Sequence, residues 1–312
     1  MNEIYSGKRV LVTGHTGFKG AWLSAWLCKM GAEVVGFSLD EDNSEVYTKA
    51  NLNAKLFADL RGDVRELEAL EKVYEEFKPE MVFHLAAQAL VRLSYDWPVD
   101  TFASNIMGTV NVLECVKKFN SKGVFITTDK CYKDKQKVEG YTEEDELGGY
   151  DPYAASKACA ELVIDSYRKS FSVNVASVRA GNVIGGGDFA KDRLMTDSIN
   201  FLKQGKKIPV RNPVHVRPWQ HVLEPLYGYL VVGEMLLKGE NVSEGWNFGP
   251  RKESQINVGK LATMIVEGWG SGAWEDLSNP NEVKHETVLL LLDSSKAKSR
   301  TKWKPVLDIK DT

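Results

Sequence analysis

No two of the four cysteines, Cys28, Cys115, Cys131 and Cys159, stand in C-x-x-C spacing. That excludes a zinc-ribbon pattern and a disulfide framework, and it points to free thiols in a reducing compartment. No metal site is expected. A basic excess is also missing: 40 Lys+Arg stand against 43 Asp+Glu, so the electrostatic footprint of a nucleic-acid binder is absent and nucleic acid is not an expected partner. No apolar run reaches membrane-spanning length. Met1–Lys8 is short and polar and Val10–Thr13 is only strand-sized, so neither a signal peptide nor a membrane helix is expected, and the expected compartment is the cytoplasm. Repeats, low-complexity tracts and long linkers are lacking as well, so a second region is expected to pack onto the first.

What the chain does have is an alternation. From Lys8 to about Thr128, short runs rich in Val, Phe, Leu or Ile end in polar or glycine-rich turns and lead into amphipathic stretches of helical period. The predicted strands are Arg9–Thr13, Glu33–Phe37, Leu56–Ala58, Met81–Leu85 and Gly123–Thr127, with Val173–Arg179 returning to the sheet. The predicted helices are Trp22–Met30, Glu66–Phe77, Ile106–Phe119 and Ala154–Ser170. This is the pattern of an α/β protein with a doubly wound parallel sheet. After about Gly181 the texture changes. Glycines cluster at Gly185–Gly187, prolines stand at Pro209, Pro213, Pro218 and Pro225, and aromatics mix with Arg and His. The chain therefore divides into a sheet domain, residues 1–180, and a smaller α+β substrate domain, residues 181–312, with part of 215–245 returning to the first. The cleft between them is the expected binding site. The sequence stops at Thr312, soon after Trp303–Pro305, where a further helix is expected, so completeness of the second region is left open.

Gly14, Gly17 and Gly20 are spaced by three across the junction of the first strand and first helix, within Gly14-His15-Thr16-Gly17-Phe18-Lys19-Gly20. Glycine suits such a turn because backbone must approach a pyrophosphate and helix must pack on strand; the helix N-terminus then faces the phosphates. Placed between a strand and a helix, the motif predicts a Rossmann-like dinucleotide site. The Gly-x-x-Gly-x-x-Gly spacing resembles that of short-chain dehydrogenases/reductases. Asp40 ends the second strand where an acid would bind the adenosine ribose, with Ser38 an equally placed neighbour, and no Arg follows to hold a 2′-phosphate; NAD is the expected cofactor. The resemblance implies that Asp63 and Val64 contact the adenine and that Ala86, Ala87 and Gln88 form the small-residue turn against which the cofactor lies.

Tyr153 and Lys157 lie four residues apart on one helix face. Lys157 can lower the phenol's pKa and hold the nicotinamide ribose, while Tyr153 removes a hydroxyl proton as hydride leaves carbon. The fifth strand ends in Thr127-Thr128-Asp129-Lys130-Cys131-Tyr132, at the carboxyl edge where open α/β sheets do chemistry. Thr128 would hydrogen-bond the substrate oxygen. An acid and an amine beside a redox centre suggest elimination coupled to oxidation, because a ketone at one carbon acidifies the next.

Thr-Asp followed by an ionisable group resembles the signature of the nucleotide-sugar 4,6-dehydratases, many of which carry Glu where this chain has Lys130. The stretches Arg179–Asp188, Arg217–Val222 and Gly245–Pro250 resemble the branch of that family that takes CDP-glucose, and the likeness runs from Gly7 to about Pro305. It implies a closed redox cycle producing CDP-4-keto-6-deoxyglucose. Tyr153 deprotonates the 4-hydroxyl while hydride passes to NAD, and Lys130 promotes loss of the C5 proton. Asp129 then protonates the departing C6 hydroxyl, and hydride returns from NADH to C6. As a base, Lys130 would need a depressed pKa.

For the diphosphate of a nucleotide sugar, the second region offers Arg193, Arg211 and Arg217 amid His215, Trp219 and His221. Asn182 could hold a phosphate or sugar oxygen, Val183 flank the nicotinamide, and Arg92, Ser94 and Tyr95 line the sugar pocket. Trp246 and Phe248 are expected in the core, bracketing a turn at Gly249–Pro250. Residues 106–119 and 154–170 could build a four-helix homodimer interface, as in relatives, or serve the core. A nucleotide-sugar 4-epimerase would share all but Asp129 and Lys130; a non-catalytic NAD-binding module would need none of the acid–base set.

Overall fold

The computed structural model describes residues 2–40, 44–190, 192–279 and 287–312. Six strands of the main sheet come first in the chain: β1 (Arg9–Thr13), β2 (Glu33–Ser38), β3 (Ala58–Arg61), β4 (Met81–His84), β5 (Lys122–Ile126) and β6 (Val175–Ala180). In β1, Val10 and Val12 enter one buried cluster with Leu23, Leu27 and Phe83, while Leu11 enters another with Val82, Val112, Phe125 and Ile164. Side chains alternate across a strand, so a run apolar at every position is a strand covered on both faces. Helices do the covering: Phe18–Lys29 and Leu223–Leu237 on the first face, Gly108–Phe119 and Pro152–Phe171 on the second.

Past β6 the chain forms β7 (Val183–Ile184), β8 (Ile208–Val210), β9 (Val216–Pro218) and β10 (Gln220–His221), then β11 (Gly245–Phe248), β12 (Gln255–Asn257) and β13 (Trp274–Asp276). β11 joins the main sheet, whose order is β11-β6-β5-β4-β1-β2-β3, all parallel. The order reverses between β1 and β4, which places the ligand crevice of such a sheet at their carboxyl ends. The remaining strands pair in twos: β7 with β10, β12 with β9 and β13 with β8. They pack with the helices Leu194–Lys203 and Val258–Trp269 around Ile184, Trp219 and Ile256. This is a Rossmann-like doubly wound sheet with a smaller α+β region beside it.

Several elements depart from expectation. β3 begins at Ala58, two residues after the expected Leu56, because the Leu56 amide donates to Leu52 and completes a turn before the edge strand starts. The first crossover helix starts at Phe18, directly after an extended Gly17, and not at Trp22. Trp246 and Phe248 are fully buried, but they lie in a strand paired with β6. Among the described residues no helix is long and apolar enough to cross a membrane.

Candidate active site and dinucleotide crevice

The glycine turn is built around close backbone contact. Gly14 has φ +72°, and a Cβ on it would lie 2.8 Å from the Ala86 amide nitrogen; one on Gly20 would lie 2.0 Å from the Gly14 carbonyl oxygen. No side chain caps the helix that Gly17 opens, so its first amides are available to an anion. The crevice therefore fits the pyrophosphate of a dinucleotide. Thr16 is buried in this turn and Phe18 begins the helix. Ala86 donates its amide to Thr13, and Gln88 is locked by its amide to Asn105 and its side chain to Leu90 and Thr101. Val64 packs on Gly108, while Asp63 is held by Arg65, whose hydrogen bonds outweigh burial and keep the carboxyl below its ordinary range. The Asp40 side chain is 88% exposed, 3.5 Å from Arg61. No arginine directly follows Asp40 in the sequence, but the fold supplies this one from β3; its guanidinium is already engaged by Asp59 and Tyr47.

The helix Pro152–Phe171 is started by Asp151, whose carboxyl accepts from the Ala154 amide at 2.8 Å, with Pro152 at its first position. This start fixes Tyr153 and Lys157. Both are buried, and Lys157 donates to the Ile126 carbonyl at the end of β5. Burial pushes Lys157 down to about 8, against the pull of Glu161. Burial pushes Tyr153 up to about 12, opposed by a hydrogen bond with Thr128 and by the Arg193 charge.

Thr128 caps the short turn Asp129–Cys131, accepting from the Lys130 amide and donating to Asp129 Oδ1 at 3.0 Å. Asp129 is 3% exposed, and its Oδ2 has no hydrogen-bond partner among the described residues. Burial raises its carboxyl above the ordinary range, opposed by Lys130, Thr128, Arg217 and Lys19. A buried carboxyl with one uncommitted oxygen and a raised pKa is suited to hold and release a proton. Thr128, Asp129, Lys130, Tyr153 and Lys157 thus converge on one place beyond β5.

Arg193 and Arg217 approach that place: the first acts on Tyr153, the second on Asp129. Arg193 Nε lies 4.0 Å from Asp188, and the buried Arg217 donates to the Val216 carbonyl. Asn182 accepts the Gln220 amide beside Val183, which pairs with β10. His221 sits edge-on to Trp22 and accepts the Leu223 amide. Ser94 is fully buried, accepting the Tyr153 amide and donating to Val91; Arg92 lies on the same short helix, Val91–Asp96. Arg211 is turned elsewhere, pairing with Asp192 at 2.8 Å on an exposed surface.

Four residues stand near the site without a role expected from the sequence. Lys19, inside the glycine motif, stands among Arg193, Asp129, Lys157 and Asp188, and burial with the Arg193 charge lowers it to about 8. Tyr229 reaches the same place from the helix Leu223–Leu237, its hydroxyl buried and without a hydrogen-bond partner among the described residues. His15 bridges Ser38 and Asp59 beneath the glycine turn. Asn105 sits in a π-helical turn, Ala103–Met107, and joins Gln88 to Ser156 of the helix Pro152–Phe171. That turn, a feature often found at functional sites, precedes the helix Gly108–Phe119, whose periodicity alone is visible in the sequence.

The doubly wound sheet, its glycine turn and the Tyr153–Lys157 helix define an extended short-chain dehydrogenase/reductase. Within that class the chain belongs to the GDP-mannose 4,6 dehydratase family, whose sequence model matches residues 11–312. It is 49% identical to the CDP-glucose 4,6-dehydratase of Salmonella typhimurium, over 99% of this chain and 89% of that one. Among solved structures it is similar to the Thermus thermophilus UDP-glucose 4-epimerase in complex with NAD, at TM-score 0.85 and 25% identity, covering 97% of this chain and 96% of that one. The Bacillus anthracis dTDP-glucose 4,6-dehydratase in complex with NAD shares the fold at TM-score 0.85 and 23% identity, over 98% and 94% of the two chains.

Proposed function

We propose that this chain is an NAD-dependent nucleotide-sugar 4,6-dehydratase, a hydro-lyase that converts CDP-glucose to CDP-4-keto-6-deoxyglucose. The observation that carries the reading is the buried Asp129, with one oxygen tied to Thr128 and the other uncommitted, next to Lys130 and across from Tyr153. An oxidation alone needs Tyr153 and Lys157; a second acid and an amine are what elimination adds.

NAD, when bound, supplies the hydride acceptor at the start of the cycle and the donor at its end. Gly14, Thr16, Gly17, Phe18 and Gly20 would hold its pyrophosphate, Asp40 its ribose, Asp63 and Val64 the adenine, Ala86, Ala87 and Gln88 its length, and Val183 the nicotinamide. Lys157 would hold the nicotinamide ribose, its ammonium favouring the ionised form of Tyr153. Tyr153 takes the proton of the sugar 4-hydroxyl, with Thr128 bound to the same oxygen. The resulting 4-ketone acidifies C5, whose proton Lys130 removes. Asp129 gives its proton to the C6 hydroxyl, which leaves as water. Arg193 and Arg217 would bind the diphosphate with His221 at the rim, while Asn182, Arg92 and Ser94 would bind the sugar side.

The cytidine base rests on the Salmonella relative and the second-region motifs. Thermal unfolding with CDP-, UDP-, dTDP- and GDP-glucose tests it, since the tightest ligand gives the largest upward shift. CDP-glucose is expected to lead; a larger shift with another base replaces the donor and leaves the reaction standing. We place the enzyme in the cytoplasm and infer a homodimer. Its interface would use the exposed Phe102, Met107 and Leu162 on the neighbouring helical segments.

A further inference from the structure

Behind the acid–base residues lies a buried ion pair that the cycle above does not use. Glu161 is 1% exposed and Arg179 4%. Glu161 follows Lys157 by one helical turn, on the same face. Its carboxylate accepts from Arg179 Nε at 2.9 Å, from Arg179 Nη2 at 2.7 Å, from Ser177 at 2.7 Å and from Thr127. These four bonds and the Arg179 charge outweigh burial and hold the carboxyl down to about 2. On the other side, Arg179 Nη1 donates to the Tyr132 hydroxyl at 2.7 Å, and that hydroxyl donates to Asn247 Oδ1 at 2.7 Å. Thr127 and Tyr132 are the two ends of the segment that carries Thr128, Asp129 and Lys130.

We propose that the Glu161–Arg179 pair is a positioning clamp, gripping the catalytic segment at both ends and fixing it to the helix that carries Tyr153 and Lys157. The proposal rests on the reading that Asp129 and Lys130 perform the elimination. Oxidation at C4 uses the helix; loss of water uses the segment. Only a fixed distance between the two lets both act on one sugar ring, and misplacement by about 1 Å costs on the order of a hundredfold. A salt bridge this buried is weak evidence for net stability, which makes a positioning role the better explanation of it.

Removing either charge would strand its partner in the core and risks unfolding, so the test removes one grip at a time. Thr127→Val leaves Glu161 bound to Arg179 and Ser177; Tyr132→Phe leaves the ion pair whole. In both variants the backbone amides of 127–132 are expected to exchange hydrogen about tenfold faster, while those of the helix 152–171 keep their protection. With CDP-glucose, water loss is expected to fall about ten- to a hundredfold while reduced nicotinamide still forms, and Thr127→Ser restores both readouts. Unchanged exchange in 127–132, or equal loss of oxidation and water release, overturns the clamp. If the unmodified protein makes no ketosugar, the functional reading fails by itself, and exchange in 127–132 still decides the clamp.

Discussion

Thr128 donates to Asp129 at 3.0 Å and so commits one carboxyl oxygen, leaving the other buried beside the reacting groups. Asp129→Asn keeps the shape and removes the transferable proton. Dehydration is expected to fall by about 10²–10⁴, while oxidation at C4 persists and reduced nicotinamide accumulates during a single turnover. Absorbance of the reduced cofactor checks this, and its absence in the variant would place Asp129 in the first step instead.

Lys130 is the residue assigned to the C5 proton. Lys130→Ala is expected to slow incorporation of solvent deuterium at C5 by about a hundredfold or more, read by proton NMR of recovered sugar. Exchange at the unmodified rate would remove Lys130 from that role.

The alkaline limb of the pH profile is expected to follow Lys157. Burial places its pKa at about 8, so the ammonium is present below that pH and lost above it, together with the charge that favours the ionised Tyr153. Accordingly kcat/KM is expected to fall as pH rises through about 8. Lys157→Arg, charged throughout, lowers activity but removes that limb, which a pH series on both proteins will show.

Stability toward acid carries the mark of Glu161. Its folded pKa of about 2 lies below the ordinary 4.5, so its contribution is complete above 4.5, is lost as pH falls toward 2, and is gone below. Glu161→Gln mimics the protonated form. Urea unfolding is expected to show the variant much weaker at neutral pH, with the gap closing as pH falls through that window.

Part of this architecture could be read directly from residues, for physical reasons. β1, β4 and β5 are continuous apolar runs because both faces of a parallel sheet are covered, and the glycine motif is local by nature. β3 is different: an edge strand, half exposed, with the polar residues Asp59 and Arg61, it lacks that pattern and begins later than expected. β11 is separated from its neighbour β6 by much of the second region, so its buried aromatics read as core without showing a strand. Tyr153 and Lys157 are one helical turn apart and hence visible together. Lys19 reads as an ordinary helix cation and Tyr229 as a core aromatic; only the packing of two distant helices brings them to Asp129. Arg61 likewise meets Asp40 across neighbouring strands, a pairing that sequence order hides.

Mass spectrometry of the product formed from CDP-glucose in deuterium oxide tests the elimination most directly. Hydride carried from C4 to C6 and a proton taken from solvent at C5 require a product lighter by one water and bearing one carbon-bound deuterium. A product of unchanged mass, with no deuterium on carbon, would contradict dehydration and leave an epimerase in its place.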